Sequence, residues 1–142
     1  MSAVFAEDGV RFQYPENWRL ERDDNEEGWT ATLQSPQTAF LMVCLRHDQP
    51  DPQQMADTAL EALREEYPDL EADDCVDSVV GQPAVGHNIR FFSLDFTNTC
   101  WTRCCLTSGG TLLVMAQCND LELDLHEAVM KAICASLKLE DE

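Results

Sequence analysis

The sequence predicts an α+β fold in a single domain, residues 1–142, built as a mostly antiparallel β-sheet with helices packed on it. Three observations lead there. Short segments of alternating or continuous apolar character recur along the chain and are joined directly by turn residues. Only two stretches carry helical spacing, one at mid-chain and one at the C-terminus, so regular strand–helix–strand units are absent. The length, 142 residues, suits one domain, and no repeat or low-complexity linker divides it.

Val10-Arg11-Phe12-Gln13-Tyr14 alternates apolar and polar residues, the mark of a half-buried strand, and Pro15 ends it. A short strand from Trp18 runs into the acidic cluster Glu21 to Glu27. Trp29-Thr30-Ala31-Thr32-Leu33 alternates again after Gly28. Ser35-Pro36 then turns the chain into Ala39 to Leu45, a continuous apolar run that reads as a central strand covered on both faces.

The first helix follows. Asp51 is a good N-cap, Pro52 suits the first helical position, and Gln54 completes a capping box. Ala56, Leu60, Leu63 and Tyr67 share its apolar face, and Pro68 stops it. Glu71–Val80, Ala84–Phe96, Thr99–Thr107 and Thr111–Cys118 read as strands, with Gly81, Pro83 and Gly86 punctuating the first join. Ser108-Gly109-Gly110 signals a tight hairpin. Asp120 to Asp124 reads as extended, with Leu121, Leu123 and Leu125 pointing inward. Asp124 then caps a second helix with Glu127, and Leu125, Val129, Ala132, Ile133 and Ser136 line its buried face.

Composition narrows function. Hydrophobic residues make up 44% of the chain, as in a globular protein, whereas 9 Lys and Arg against 27 Asp and Glu give a net charge of −18. That charge argues against nucleic acid and anionic lipid as partners, because both are held mainly through Lys and Arg. The N-terminal residues carry no basic segment before their acids, Ser2 stands where myristoylation needs glycine, and the Leu139-Glu140-Asp141-Glu142 end is no prenylation box. The longest apolar run is far short of the ~20 residues that span a bilayer. These features predict a cytoplasmic protein with no membrane insertion.

Seven cysteines, an odd number lying mostly in apolar runs, are expected to be reduced core residues. Cys100, Cys104 and Cys105 suggest zinc, but on a strand residues four apart sit about 13 Å from each other and adjacent ones face opposite sides. Only a cross-strand partner such as Cys118 near Trp101 would complete a site. Asp120-Leu121-Glu122-Leu123-Asp124 resembles the start of a calcium loop, yet Leu125 and Lys131 stand where glycine and glutamate are needed. No serine nucleophile elbow or phosphate-binding loop occurs. His47 follows a strand just before a turn and reads as a surface histidine; His126 is placed in the first turn of the second helix. No cofactor and no catalytic residue is assigned.

Glu61, Glu65, Glu66, Asp69, Glu71, Asp73, Asp74 and Asp77 form the candidate partner-binding patch, with no Lys or Arg between Glu65 and Asp77. Such a zone keeps a surface solvated and steers a basic protein partner by long-range attraction.

The segment Asp8-Gly9-Val10-Arg11-Phe12-Gln13-Tyr14-Pro15-Glu16-Asn17-Trp18, an aromatic-Pro-x-x-Trp turn after a short strand, resembles the PsbP-like superfamily. That group includes photosystem II extrinsic subunits, a Ran-release factor and bacterial DcrB-like proteins. Val79-Val80-Gly81-Gln82-Pro83-Ala84, the late hairpin and the ending Ala135-Ser136-Leu137-Lys138-Leu139 agree in order. The resemblance implies an antiparallel sheet flanked by helices on both faces, an α/β/α sandwich, and a role in binding proteins rather than in chemistry. The chain is therefore expected to be a bacterial, non-enzymatic binding or adaptor domain with an acidic face. Two alternatives stand beside it. A chaperone for a secreted effector would show a hydrophobic groove on the sheet or a dimer. A thiol-dependent enzyme or redox protein would use Cys104 or Cys105 as an exposed thiolate of low pKa.

Overall fold

The computed structural model describes residues 2–93 and 95–139, so Leu94 and the acidic end from Glu140 onward, with the reading made of it, lie outside the described residues. Strands β1 (Ser2–Glu7), β2 (Val10–Pro15), β3 (Arg19–Asn25), β4 (Gly28–Gln34) and β5 (Phe40–Arg46) precede helix α1 (Pro52–Glu66). Strands β6 (Glu71–Val79), β7 (Gln82–Ser93), β8 (Phe96–Thr107) and β9 (Gly110–Asn119) follow. A 3₁₀ turn over Asp120–Glu122, helix α2 (Leu123–Ser136) and the short β10 (Lys138–Leu139) close the chain. Seven strands form one sheet in the order β3-β4-β5-β9-β8-β7-β6, and β1-β2-β10 form a small second sheet. Every neighbouring pair is antiparallel.

Period-two alternation divides the core between the two faces of the large sheet. On one face α1 sets Met55, Ala56 and Leu60 against Cys44, Cys104 and Leu113 and against Ile89, Phe91 and Cys100. Tyr67 stacks on Phe91 at 4.2 Å. On the other, Trp29, Leu33, Leu41, Val43, Leu45 and Val114 meet Phe5 and Phe12 of the small sheet and Met130 and Ile133 of α2. The β5 run is thus covered on both faces, as its continuous apolar character predicts.

Pro52 opens α1, and the Asp51 carboxylate accepts from the Gln54 backbone N–H at 3.1 Å, one half of the expected capping box; among the described residues the Gln54 side chain does not return to Asp51. The Trp18 backbone N–H donates to the Pro15 carbonyl at 3.0 Å, folding the buried indole under the core. In the β8–β9 hairpin, Gly110 has φ 143°, and a Cβ there would lie 2.2 Å from the Arg46 carbonyl oxygen.

Four expectations are corrected. Asp120 to Asp124 is helical rather than extended: Asn119 caps the 3₁₀ turn by accepting from the Leu121 N–H at 2.7 Å. Leu121 and Leu125 are 77% and 61% exposed, so they do not point inward. Helix α2 accordingly starts at Leu123 without a side-chain cap rather than after a cap at Asp124; Ile133 of the expected face is buried, with His126 and Met130, whereas Leu125 and Ala132 are exposed. The β7–β8 turn falls at Asp95, φ 67°, three residues before the expected break, because aspartate tolerates the left-handed conformation without glycine. Finally, Pro83 and Gly86 lie inside β7, opposite Ser78 and Cys75, while Val80-Gly81 makes the turn. Strand β1 was not expected from the sequence; Asp8 and Gly9, both with positive φ, close the β1–β2 hairpin.

Candidate partner-binding site

Helix α2 packs on β2 and β9 and leaves the same sheet face open over β6, β7 and β8. A groove of about 500 Å³ lies between them. Its floor carries Trp101, Arg103, Asn88 and Arg90, its outer lip Glu71, Asp73 and Asp77 of β6, and its inner wall Glu127, Lys131 and Cys134 of α2. Alternation explains why these residues share a face: positions 71, 73 and 77 on β6, 88 and 90 on β7, and 101 and 103 on β8 come into one row by the antiparallel register.

Arg103 braces this half of the sheet, with its side chain only 12% exposed. It donates to the Thr102 carbonyl at 2.8 Å, to the Asn88 side-chain oxygen at 2.9 Å and to the Asp77 carboxylate at 3.4 Å. Its guanidinium also stands 5.5 Å from the Trp101 ring centroid. The Ser78 backbone N–H and then Arg103 hold the Asp77 carboxyl below the usual carboxylate range.

The structure divides the eight predicted acids. Glu61 and Glu65 lie on the solvent face of α1, where Arg64 pairs with Glu61 at 2.6 Å. Glu66 ends α1, and Asp69 stands in the link to β6. Glu71, Asp73 and Asp77 face the groove, whereas Asp74 turns to the α1 side. There its carboxylate lies 3.2 Å from Nε2 of the buried His87, and Asp57 of α1 lies 3.4 Å from the same nitrogen. His87 thus stands between β6 and α1, and its Nδ1 has no hydrogen-bond partner among the described residues. Glu65, Glu66, Asp69, Glu71 and Asp73 contact no cation among the described residues. Sequence reasoning missed the groove side chains, although the polar positions Asn88, Arg90, Thr99 and Arg103 alternate with apolar ones and so mark a face that the core does not need.

Other candidate chemistry is placed as follows. All seven cysteines are free. Burial pushes the Cys100, Cys104 and Cys134 thiols up to about 12 and those of Cys105 and Cys118 to about 11, and it raises Cys44 as well. Cys104 and Cys105 point to opposite faces, into separate cores. Cys118 stands opposite Thr99 rather than Trp101. Among the described residues no three His, Cys, Asp or Glu side chains are arranged to hold a metal ion. His47 is half exposed, 3.1 Å from the Gly109 carbonyl and 3.3 Å from Asp8. His126 is buried edge-on to Trp18 at 5.7 Å.

No protein-family model and no curated protein matches the chain. Solved structures do. The solution structure of cyanobacterial PsbP (CyanoP) from Synechocystis aligns with a TM-score of 0.66 at 12% identity, over 97% of this chain and 92% of that one. The fold is PsbP-like. The PsbP-like architecture extends to LpqN, involved in cell envelope biogenesis of Mycobacterium tuberculosis: TM-score 0.57, 12% identity, 99% of this chain and 91% of that one. A Pseudomonas aeruginosa protein of unknown function, PA94, aligns at 0.52 and 12% identity, over 92% and 91% of the two chains. At such identities the shared property is the PsbP-like backbone, so function has to be argued from this chain's own side chains.

Proposed function

We propose that this PsbP-like protein is a non-enzymatic binding or adaptor domain that receives a basic protein partner on its β6 side. One observation carries the reading: Glu71 and Asp73 on β6, with Glu65, Glu66 and Asp69 leading into it, form a run of carboxylates that makes no ion pair among the described residues, with Arg90 the one base opposite them in register. A surface of this kind raises the encounter rate with a basic protein and loses that advantage as salt screens it. The high thiol pKa values of Cys104 and Cys105 speak against the thiol-enzyme alternative, since the thiol rather than the thiolate is present at neutral pH. The proposal places the protein in the cytoplasm, where thiols are kept reduced. The chaperone alternative draws support from the groove on the sheet, although its lip and floor are charged rather than apolar.

The test is titration of the protein with a short lysine-rich peptide at about 20 mM and at about 500 mM salt, where the Debye length shrinks several-fold. Binding that weakens steeply with salt is expected. Absence of binding at low salt removes the reading.

A further inference from the structure

The groove and the strand that forms its lip share a geometry that says how such a partner would enter. We infer that it enters as an added β-strand: a basic, extended segment pairs along the free edge of β6 and lays alternate side chains against the Glu71 and Asp73 lip of the groove. The inference rests on the acidic-face reading and adds to it the mode of binding.

β6 ends the seven-stranded order, so one side of its backbone has no neighbouring strand. Proteins ordinarily block such an edge with proline, a bulge, lysine or a very short strand. β6 has none of these. Its nine residues run in unbroken register with β7, from Glu71 opposite Arg90 to Val79 opposite Gln82, and contain neither proline nor any base. Val76 on its α1-side face is 81% exposed, so apolar surface accompanies the open backbone. The guard on this edge is negative charge alone.

Charge is a selective guard. A second copy of β6 laid against the first would set carboxylate near carboxylate, and an acidic strand would meet the same repulsion. A strand with lysine or arginine at every second position meets the opposite condition. Its groove-side residues recur at about 6.6–7 Å, the same interval that separates Glu71 from Asp73. The other row of the added strand meets Asp74 and Val76. Backbone hydrogen bonds would supply affinity, and the alternating pockets specificity.

Two lysine–threonine peptides of the length of β6 test the inference, identical in sequence and charge, one carrying N-methyl groups on alternate backbone nitrogens. Affinity is measured by fluorescence anisotropy at low salt, and amide hydrogen exchange maps the site. The unmodified peptide is expected to bind at least about tenfold more tightly than the methylated one and to slow exchange along β6. Equal affinity of the two overturns strand addition while leaving the acidic-face reading in place. Failure of both to bind overturns the two together. Protection along β3 instead of β6 overturns the assignment of the edge.

Discussion

The two edge strands of the large sheet have similar acid content and opposite electrostatic outcomes. β3 carries Glu21, Asp23 and Asp24 but also Arg19 and Arg22. Arg22 reaches Asp24 at 2.8 Å and forks onto Glu7 of the small sheet, while Arg19 pairs with Glu21 at 3.4 Å. β6 carries Glu71, Asp73, Asp74 and Asp77 without a base of its own; among the described residues Arg103 pairs with Asp77, and Asp74 lies 3.2 Å from the His87 ring nitrogen. One edge therefore has acids paired with its own arginines and is linked to the second sheet through Arg22 and Glu7. The other keeps its charge available beside an open groove. Net charge alone does not distinguish the two; compensation does.

The largest expected effect is on binding. Replacing Glu71, Asp73 and Asp74 together by their amides (E71Q, D73N, D74N) should weaken the lysine–threonine peptide by about tenfold or more at low salt. The matching change on β3 (E21Q, D23N, D24N) should cost less than about twofold. Equal losses from both edges would abolish the contrast and reduce the acidity to a general field.

The next effect is on stability. Arg103→Gln removes a nearly buried fork that joins β6, β7 and β8, and should lower the free energy of unfolding by roughly 1–3 kcal/mol in urea titrations. Arg22→Gln acts at a solvent-exposed site and should move the midpoint much less.

Thiol accessibility sharpens the picture further. At pH 8 iodoacetamide should reach the half-buried Cys75 on β6 well before Cys100, Cys104 and Cys105, which burial protects. Saturation with the basic peptide should slow the modification of Cys75, because an added strand covers that edge. Mass spectrometry of the alkylated peptides reads both outcomes.

Acid response is the smallest. Asp24, held by Arg22, and Asp77, held by the Ser78 N–H and Arg103, both titrate below the ordinary 3.8. A depressed carboxyl adds stability that is complete above the unfolded value and is lost as pH falls through the lower folded value. Urea midpoints recorded from pH 5 downward should decline, and Asp77→Asn should flatten part of that decline.

Much of the fold was legible because its signals are local. Val10 to Tyr14 and Trp29 to Leu33 alternate, Phe40 to Leu45 does not, and Asp51-Pro52 opens a helix; each is a property of a few adjacent residues. The segment from Asp120 to Leu125 misled because its alternating leucines imitate a strand, while the competing cap, Asn119, lies just before them. The acidic run was legible as well. The groove was not, since Trp101, Arg103, Arg90 and Lys131 belong to three separate elements and meet only through register and helix packing.

Segment type and the inventory of charge were decided along the chain, because a period of two or of 3.6 residues and a count of carboxylates require no knowledge of what lies across space. Which carboxylates are neutralised was decided only by folding. Arg22 finds Glu7 across 15 residues and Arg103 finds Asp77 across 26, and these long-range contacts neutralise Glu7 and Asp77 while Glu71 and Asp73 of β6 stay unpaired among the described residues.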